Sequence, residues 1–161
     1  NFVYTTSKTT TFKPIDSPIT NSKPDKYGKE VALPELLKTS DLVVVACALN
    51  EDTAGIIDHS ALSLMKPSAF LVNIARGRII DTDDLVNVLR NKTIAGAGLD
   101  VTYPEPLPKD HPLLDESLSD CCVVLPHIAS ATYETREAMM NMAIDNLIAA
   151  FEDKPMAAEI N

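Results

Sequence analysis

The stretch AFLVNIAR, residues 69–76, is a short apolar run that ends in a cation. Three further apolar runs occupy residues 42–47, 94–101 and 121–126. Short runs of this kind, bounded by turn residues, are typical of buried strands in a parallel sheet. Helix signals lie between them, and strands that alternate with helices predict the α/β class.

Four segments carry helix signals: residues 33–38, residues from Asp58 or Ser60 to Met65, residues 81–90 and residues 131–151. Acidic residues at 81–84 begin a helix that we expect to end near Arg90, because carboxylates accept hydrogen bonds from the free N–H groups of a first turn. From about residue 131 to residue 151 the spacing of apolar residues predicts one long helix.

Composition excludes several classes of protein. The chain has 161 residues and a formal net charge of −9, which argues against nucleic-acid binding. Its apolar runs are too short to span a bilayer, and no signal-peptide pattern opens the sequence. Cys47, Cys121 and Cys122 have no metal-site spacing and an odd count, which favours a reducing compartment. We therefore expect a cytoplasmic protein without a metal site.

Arg76, Glu105 and His127 follow three of the predicted strands. In open α/β sheets, ligands bind beyond the carboxyl ends of the strands, so we expect these side chains at one rim. Arginine can clamp a carboxylate through two hydrogen bonds. A carboxylate bonded to imidazole fixes its tautomer and favours its charged form, and histidine exchanges protons near neutral pH.

Each of these three residues alone also fits a structural interpretation. Arg76 could be a solvated loop residue, Glu105 a surface-turn carboxylate and His127 a packed residue after a strand. Together they favour reduction of a 2-oxo acid, in which an anion is held while a proton is delivered.

Five segments resemble the D-isomer-specific 2-hydroxyacid dehydrogenases, and the similarity extends from about residue 33 to the end. The matching stretches are 71–77, 97–101, 104–107, 111–114 and 125–128 with 130–132. Within that family, residues 100–108, 111–114 and 154–156 are most similar to the animal glyoxylate/hydroxypyruvate reductase branch.

The resemblance implies a role for each catalytic candidate. Arg76 matches the arginine that binds the substrate carboxylate, Glu105 the carboxylate that pairs with histidine, and His127 the acid/base. The implied reaction is reduction of hydroxypyruvate or glyoxylate with NAD(P)H to the D-2-hydroxy acid. Alternatives within the fold are 3-phosphoglycerate dehydrogenase, formate dehydrogenase and a dinucleotide-sensing transcriptional corepressor.

The resemblance also implies cofactor positions. Ile74 and Asp100 match positions that contact the nicotinamide end, and Ala48 matches a position that lines the nicotinamide ribose side. The backbone around Ser130 matches a segment that lies near the cofactor in relatives. After the strand Phe2-Val3-Tyr4, relatives that prefer NAD usually carry an acid, whereas this chain has Ser7 and Lys8. A hydroxyl and a cation suit the 2′-phosphate of NADP better, so we expect NADP to be preferred and NAD to be usable.

The family pattern implies the domain organisation. Residues 1–130 are expected to form a partial, Rossmann-like, doubly wound nucleotide-binding domain, and residues 131–161 a helix and tail that return toward a substrate domain. The sequence has no Gly-x-Gly-x-x-Gly, so we expect the first strand and the glycine loop of the nucleotide-binding domain to be missing from these residues. Relatives are dimers, and a homodimer is therefore expected of the full-length protein.

Overall fold

The computed structural model describes residues 2–4 and 28–157 of the chain. The strands are β1 (Phe2–Tyr4), β2 (Gly28–Glu30), β3 (Leu42–Val45), β4 (Phe70–Asn73), β5 (Gly96–Leu99) and β6 (Cys122–Val124). The helices are α1 (Leu33–Thr39), α2 (His59–Leu62), α3 (Thr82–Arg90) and α4 (Tyr133–Phe151). Short 3₁₀ helices occupy Gly77–Ile79, Pro112–Leu114 and Glu116–Leu118.

Four of the strands form one parallel sheet in the order β3-β4-β5-β6. The predicted α/β class and the predicted parallel sheet are therefore confirmed. Each strand is shorter than its apolar run; β3, for example, ends at Val45 rather than at Cys47. Parallel neighbours bring their carboxyl ends to the same edge, which we call the carboxyl edge of the sheet.

The remaining strands, β1 and β2, pair in parallel as a separate two-stranded sheet. The doubly wound strand order is 3-2-1-4-5-6, in which the first strand lies between the second and the fourth. A chain without that first strand is expected to divide into a pair and a longer sheet. The observed division thus agrees with the prediction that the first strand is missing.

One face of the four-stranded sheet is buried under helices. Val43, Leu71 and Ala97 lie side by side in register, and all three belong to the hydrophobic core. Leu62 of α2 and Leu85 of α3 pack into the same core. We call this the covered face.

Helix α3 forms where the sequence predicts it. Asp81 is its N-cap, and its side chain accepts a hydrogen bond from the N–H group of Asp84 at 3.0 Å. Arg90 is the last residue of the helix, where a cation favours the macrodipole. Local sequence therefore fixes both ends of this helix.

The other face of the four-stranded sheet has no such cover from the described residues of its own compact unit, residues 2–4 and 28–126. Leu42 and Phe70 are paired in register on this face and are 57% and 50% exposed. Val44 and Val123 lie on the same face and are also exposed. We call this the open face.

The chain divides into two compact units, residues 1–126 and 127–161. The second unit contains α4, whose N-cap Thr132 accepts a hydrogen bond from the N–H group of Thr135 at 3.2 Å. No side chain of α4 is buried. Nowhere in residues 2–4 and 28–157 is a helix long and apolar enough to cross a membrane. The assignment of residues 131–161 as a link to a substrate domain stays a prediction.

Candidate functional site

Arg76 lies in a tight turn directly beyond β4. It is the N-cap of the 3₁₀ helix Gly77–Ile79, and its side chain is exposed. One guanidinium nitrogen, Nη1, donates a hydrogen bond to the carbonyl of Ala75 at 2.7 Å. Because a guanidinium has five N–H groups, this single bond leaves donors for a second, anionic partner.

The turn that carries Arg76 is fixed on both sides. Before it, Asn73 accepts a hydrogen bond from the N–H group of Ala75 and donates one to the carbonyl of Arg76, both at 3.0 Å. After it, Ile79 is fully buried, and its carbonyl accepts a hydrogen bond from the N–H group of Ile57 at 3.1 Å. The backbone of Arg76 is therefore held between two anchored residues.

Glu105 lies in the loop that follows β5. Its side chain is exposed, and it stands between Pro104 and Pro106, which restrict the backbone. Thr102, which is mostly buried, donates a hydrogen bond from Oγ1 to the carbonyl of Pro104 at 3.0 Å. The loop thus turns around a local hydrogen bond just before the carboxylate.

The Arg76 turn and the Glu105 loop pack against each other. A Cβ atom added to Gly77 would overlap the backbone carbonyl of Thr102, so only glycine fits there. Thr82 Oγ1 donates a hydrogen bond to the carbonyl of Tyr103 at 3.2 Å, and the guanidinium of Arg78 lies 5.4 Å from the centre of the Tyr103 ring. Two of the three predicted catalytic residues are therefore carried by loops in direct contact.

His127 has an unusual backbone conformation. Its φ angle is +57°, in the left-handed region that costs a non-glycine residue about 1–2 kcal/mol. It is exposed and is the first residue of the second unit, which also contains the half-buried Ser130. In the sequence it directly follows β6 and the dipeptide Leu125-Pro126.

Three predicted cofactor residues follow neighbouring strands of the first unit. Ala48 is exposed, and its carbonyl accepts a hydrogen bond from Oγ1 of the buried Thr53 at 2.7 Å. Ile74 is 50% exposed at the end of β4. Asp100 is buried beyond β5, and its N–H group donates to the carbonyl of Asn73 at 3.0 Å.

Ser7 and Lys8, the residues predicted to meet a 2′-phosphate, lie outside the described residues. Among the described residues, no group of three or more His, Cys, Asp or Glu side chains could hold a metal ion. Burial raises the pKa of the Cys47 thiol near the end of β3, and a hydrogen bond to its own backbone opposes this. That thiol therefore stays protonated at neutral pH.

The sequence interpretation did not identify Asn73 or Thr102 as part of the site. Asn73 ends β4 at 1% exposure, and Thr102 shapes the loop that leads to Glu105. The available signal was a polar residue inside an apolar run. Such a residue needs hydrogen-bond partners when it is buried, and at a strand end those partners belong to the following turn.

Comparison with known proteins assigns the family. Residues 6–129 match the family model described as "D-isomer specific 2-hydroxyacid dehydrogenase, NAD binding domain". The chain belongs to this family. That assignment confirms the resemblance and the Rossmann-like fold inferred from the sequence.

Two relatives place the chain within the dehydrogenase family. It is 47% identical over 130 residues to the glyoxylate reductase/hydroxypyruvate reductase of Homo sapiens, a match that covers 81% of this chain and 39% of that protein. The corresponding protein of Mus musculus is 45% identical, with the same coverage. The chain thus spans about two fifths of the length of these relatives.

Two solved structures share the fold. A protein from Thermus thermophilus matches with a TM-score of 0.76 and 41% identity, over 87% of this chain and 43% of that one. The NADPH-dependent glyoxylate/hydroxypyruvate reductase of Sinorhizobium meliloti, in complex with NADP and malonate, matches with a TM-score of 0.75 and 32% identity. That match covers 88% of this chain and 43% of the reductase.

Proposed function

We propose that the protein containing this chain reduces a small 2-oxo acid, hydroxypyruvate or glyoxylate, to the D-2-hydroxy acid with NAD(P)H. The observation that carries the proposal is the contact between the Arg76 turn and the Glu105 loop, which meet at Gly77 and Thr102. A guanidinium and a carboxylate at the carboxyl edge of a dehydrogenase sheet are two of the groups that such a reduction uses, the first to bind the acid and the second to orient the proton donor. The names of the human and mouse relatives support the same substrates.

Arg76 binds the substrate in this proposal. Its exposed guanidinium pairs with the substrate carboxylate and polarises the carbonyl group that is reduced. The bond from Nη1 to the carbonyl of Ala75 restricts the side chain before substrate arrives. Less rotational freedom is then lost on binding.

His127 supplies the proton. As the carbonyl carbon is reduced, the imidazolium donates its proton to the developing alkoxide oxygen, which gives the hydroxyl group. In the active enzyme, Glu105 accepts a hydrogen bond from this imidazole and so fixes its orientation. In the oxidative direction His127 takes the proton back.

The exposed residues at the carboxyl edge fit the nicotinamide end of a dinucleotide. Ile74 presents a half-exposed apolar side chain beyond β4, and the exposed Ala48 follows the neighbouring β3. A flat ring needs such an apolar surface. When bound, reduced nicotinamide supplies the hydride. The sequence has no glycine-rich loop, so we infer that residues outside this chain hold the pyrophosphate.

We propose NADP as the preferred cofactor, with NAD usable. Ser7 and Lys8 support this because a cation and a hydroxyl suit a 2′-phosphate, and the similar reductase of Sinorhizobium meliloti is described as NADPH-dependent. A homodimer and a cytoplasmic location stay predictions that rest on the sequence and the resemblance.

The substrate proposal is tested by assaying the complete gene product with NADPH and three acids: hydroxypyruvate, glyoxylate and phosphohydroxypyruvate. We expect kcat/KM to be highest with hydroxypyruvate or glyoxylate. A preference for phosphohydroxypyruvate would instead indicate a 3-phosphoglycerate dehydrogenase. Equal and negligible rates with all three acids would contradict the reductase and favour a dinucleotide-sensing corepressor.

The residue roles are tested by His127→Asn and Arg76→Ala. Asparagine tolerates the left-handed backbone of position 127 but cannot supply the proton, so kcat should fall at least about 100-fold while NADPH binding stays near normal. Arg76→Ala should raise the KM for the acid and lower kcat. The matched controls are His59→Asn and Arg90→Ala, two exposed residues to which the proposal gives no role. Near-normal kcat/KM in either test variant would contradict the role given to that residue.

The 161-residue chain alone should oxidise NADPH with hydroxypyruvate slowly or not at all. Its sequence lacks the glycine loop that binds the pyrophosphate. Turnover comparable to that of the complete gene product would contradict this expectation.

A further inference from the structure

Asn73 is a buried polar residue in the core of the sheet. It is the last residue of β4, lies in register with Val45 and Leu99, and is 1% exposed. An amide group in such a place destabilises the fold unless its hydrogen bonds are satisfied, and a Leu or Val would pack there without that cost. Packing alone therefore gives no reason for an amide at position 73.

The hydrogen bonds described for the Asn73 side-chain amide both go to the turn that carries Arg76. Oδ1 accepts from the N–H group of Ala75, and Nδ2 donates to the carbonyl of Arg76, both at 3.0 Å. Both the donor and the acceptor of the side chain are thus used within three residues. The turn offers one donor, the Ala75 N–H group, and one acceptor, the Arg76 carbonyl. An amide can bond to both, because it carries an acceptor oxygen and a donor nitrogen.

These bonds extend to the guanidinium. The carbonyl of Ala75 accepts the 2.7 Å bond from Nη1 of Arg76. Ala75 is therefore held at both of its backbone polar groups, by Asn73 at its N–H and by Arg76 at its carbonyl. A shift of the Asn73 amide would move the carbonyl against which the guanidinium is oriented.

The backbone of the same turn also contacts the backbone of the loop that leads to Glu105. Gly77 lies directly against the carbonyl of Thr102, which leaves no room for a side chain. The backbone carbonyl of Asn73 accepts from the N–H group of Asp100, so the turn is also tied to the residue after β5. The Arg76 turn thus has one well-defined position relative to the loop that leads to Glu105.

We propose that Asn73 is a positioning residue, whose amide sets the place and direction of the Arg76 guanidinium for the substrate carboxylate. This inference rests on the proposed function, in which Arg76 binds that carboxylate. Asn73 itself touches neither substrate nor cofactor in this proposal. Loss of the Asn73 amide should therefore impair the steps in which Arg76 binds the substrate carboxylate.

The test is Asn73→Asp in the complete gene product. At the alkaline end of the pH range, where the introduced carboxyl group is ionised, it keeps the acceptor for the Ala75 N–H group but loses the donor to the Arg76 carbonyl. Since a misplacement of about 1 Å can cost about 100-fold in rate, we expect kcat/KM for hydroxypyruvate to fall about 10- to 100-fold, mainly through KM. The Kd for NADPH should stay within about twofold, because the cofactor does not use Arg76.

A pH profile of the Asn73→Asp variant separates positioning from general destabilisation. Burial favours the protonated form of a carboxyl group, and the protonated form of the introduced carboxyl regains an O–H donor for the Arg76 carbonyl. The ratio of variant to wild-type kcat/KM should therefore rise as the pH falls. A ratio that stays flat with pH would contradict the hydrogen-bond mechanism.

The matched control is Asp115→Ala. Asp115 also makes a side-chain bond to a backbone N–H group, that of Ser117 at 2.9 Å, but it precedes β6 at the opposite edge of the sheet. The Asp115→Ala substitution should lower Tm without changing kcat/KM by more than about twofold, as expected for a lost cap. If Asn73→Asp keeps kcat/KM within the same twofold range, the proposal is wrong.

Arg76→Ala separates the two proposals. If Arg76→Ala lowers kcat/KM and Asn73→Asp does not, only the positioning role fails. If Arg76→Ala leaves kcat/KM unchanged, the proposed function of Arg76 fails and the positioning role fails with it. Amide hydrogen exchange of residues 73–77 gives a readout without turnover: exchange should accelerate in Asn73→Ala, and unchanged exchange would overturn the inference.

Discussion

The covered and open faces of the four-stranded sheet carry similar side chains in different surroundings. Leu71 on the covered face is fully buried, whereas Leu42 on the open face is 57% exposed. Successive right-handed connections along β3, β4 and β5 place their helices on the same side. The described residues up to residue 126 therefore contain a helical cover for one face only, although parallel sheets are normally covered on both faces.

The largest expected loss of stability is that of Leu71→Ala on the covered face. Leu71 is fully buried, so its truncation leaves a cavity and should lower the free energy of unfolding by about 2–5 kcal/mol. Urea denaturation of wild type and variant measures this. A loss below about 1 kcal/mol would show that the covered face is not tightly packed.

The second prediction concerns a thiol on the covered face. Cys122 lies in register with Ala97, and burial, together with the charge of the neighbouring Cys121, raises its pKa to about 11. Only the thiolate is alkylated, so a pKa about two units above the ordinary value should slow alkylation of Cys122 at pH 8 about 100-fold.

The alkylation experiment uses the double variant Cys47→Ser/Cys121→Ser, which leaves Cys122 as the only thiol. This variant also removes the smaller contribution of Cys121 to the pKa shift, so burial alone should slow alkylation by somewhat less than about 100-fold. The same variant unfolded in urea is the reference. Equal iodoacetamide rates for the folded and unfolded protein would show that the thiol is not shielded by the covered face.

The third prediction tests the helix that forms part of the cover. Asp81→Ala removes the N-cap bond to the N–H group of Asp84 and should cost about 1 kcal/mol of stability. Asp81→Asn keeps an acceptor and should cost less. Equal Tm values for Asp81→Ala and wild type would contradict the capping role.

A pH titration tests the N-cap of α2, which lies in the same cover. Asp58 accepts hydrogen bonds from Ser60 Oγ and the Ala61 N–H group, and these lower the pKa of its carboxyl group. A lowered folded-state pKa stabilises the protein above the ordinary carboxyl pKa, and this stabilisation is lost as the pH falls through the folded value. Carboxyl-carbon NMR should find a lower midpoint for Asp58 in the folded than in the unfolded chain.

The smallest expected effect is that of Leu42→Ala on the open face of this chain. An exposed side chain contributes little packing, so the change should cost about 0.5 kcal/mol or less. The same substitution in the complete gene product tests whether the open face is exposed there as well. A cost of about 2 kcal/mol or more there would show that further residues cover the open face.

Much of the fold could be predicted because it depends on local sequence. Apolar runs gave the four strands of the main sheet, and Asp81 with Arg90 gave both ends of α3. β2 was not predicted, since Gly28–Glu30 has no apolar run and pairs through its backbone with β1. The apolar runs extend beyond the paired strands, by two residues at the end of β3 for example, because ladder pairing rather than hydrophobicity decides where a strand stops.

The candidate site was predictable in part for the same reason. The strand-end rule and the motifs identified Arg76 and Glu105, and the structure shows their loops in contact. The sequence did not predict how that contact is made. It depends on Gly77 meeting the carbonyl of Thr102, twenty-five residues later, and on a buried amide at Asn73.

The sequence by itself determined the fold class, the family and the chemical groups available, because periodicity, caps and motifs are properties of neighbouring residues. Only the tertiary structure decided which face of the sheet is covered and how the Arg76 turn is held against the Glu105 loop. Close packing and hydrogen bonds between residues far apart in the chain exist only after strands have paired, and they decide where each functional group lies.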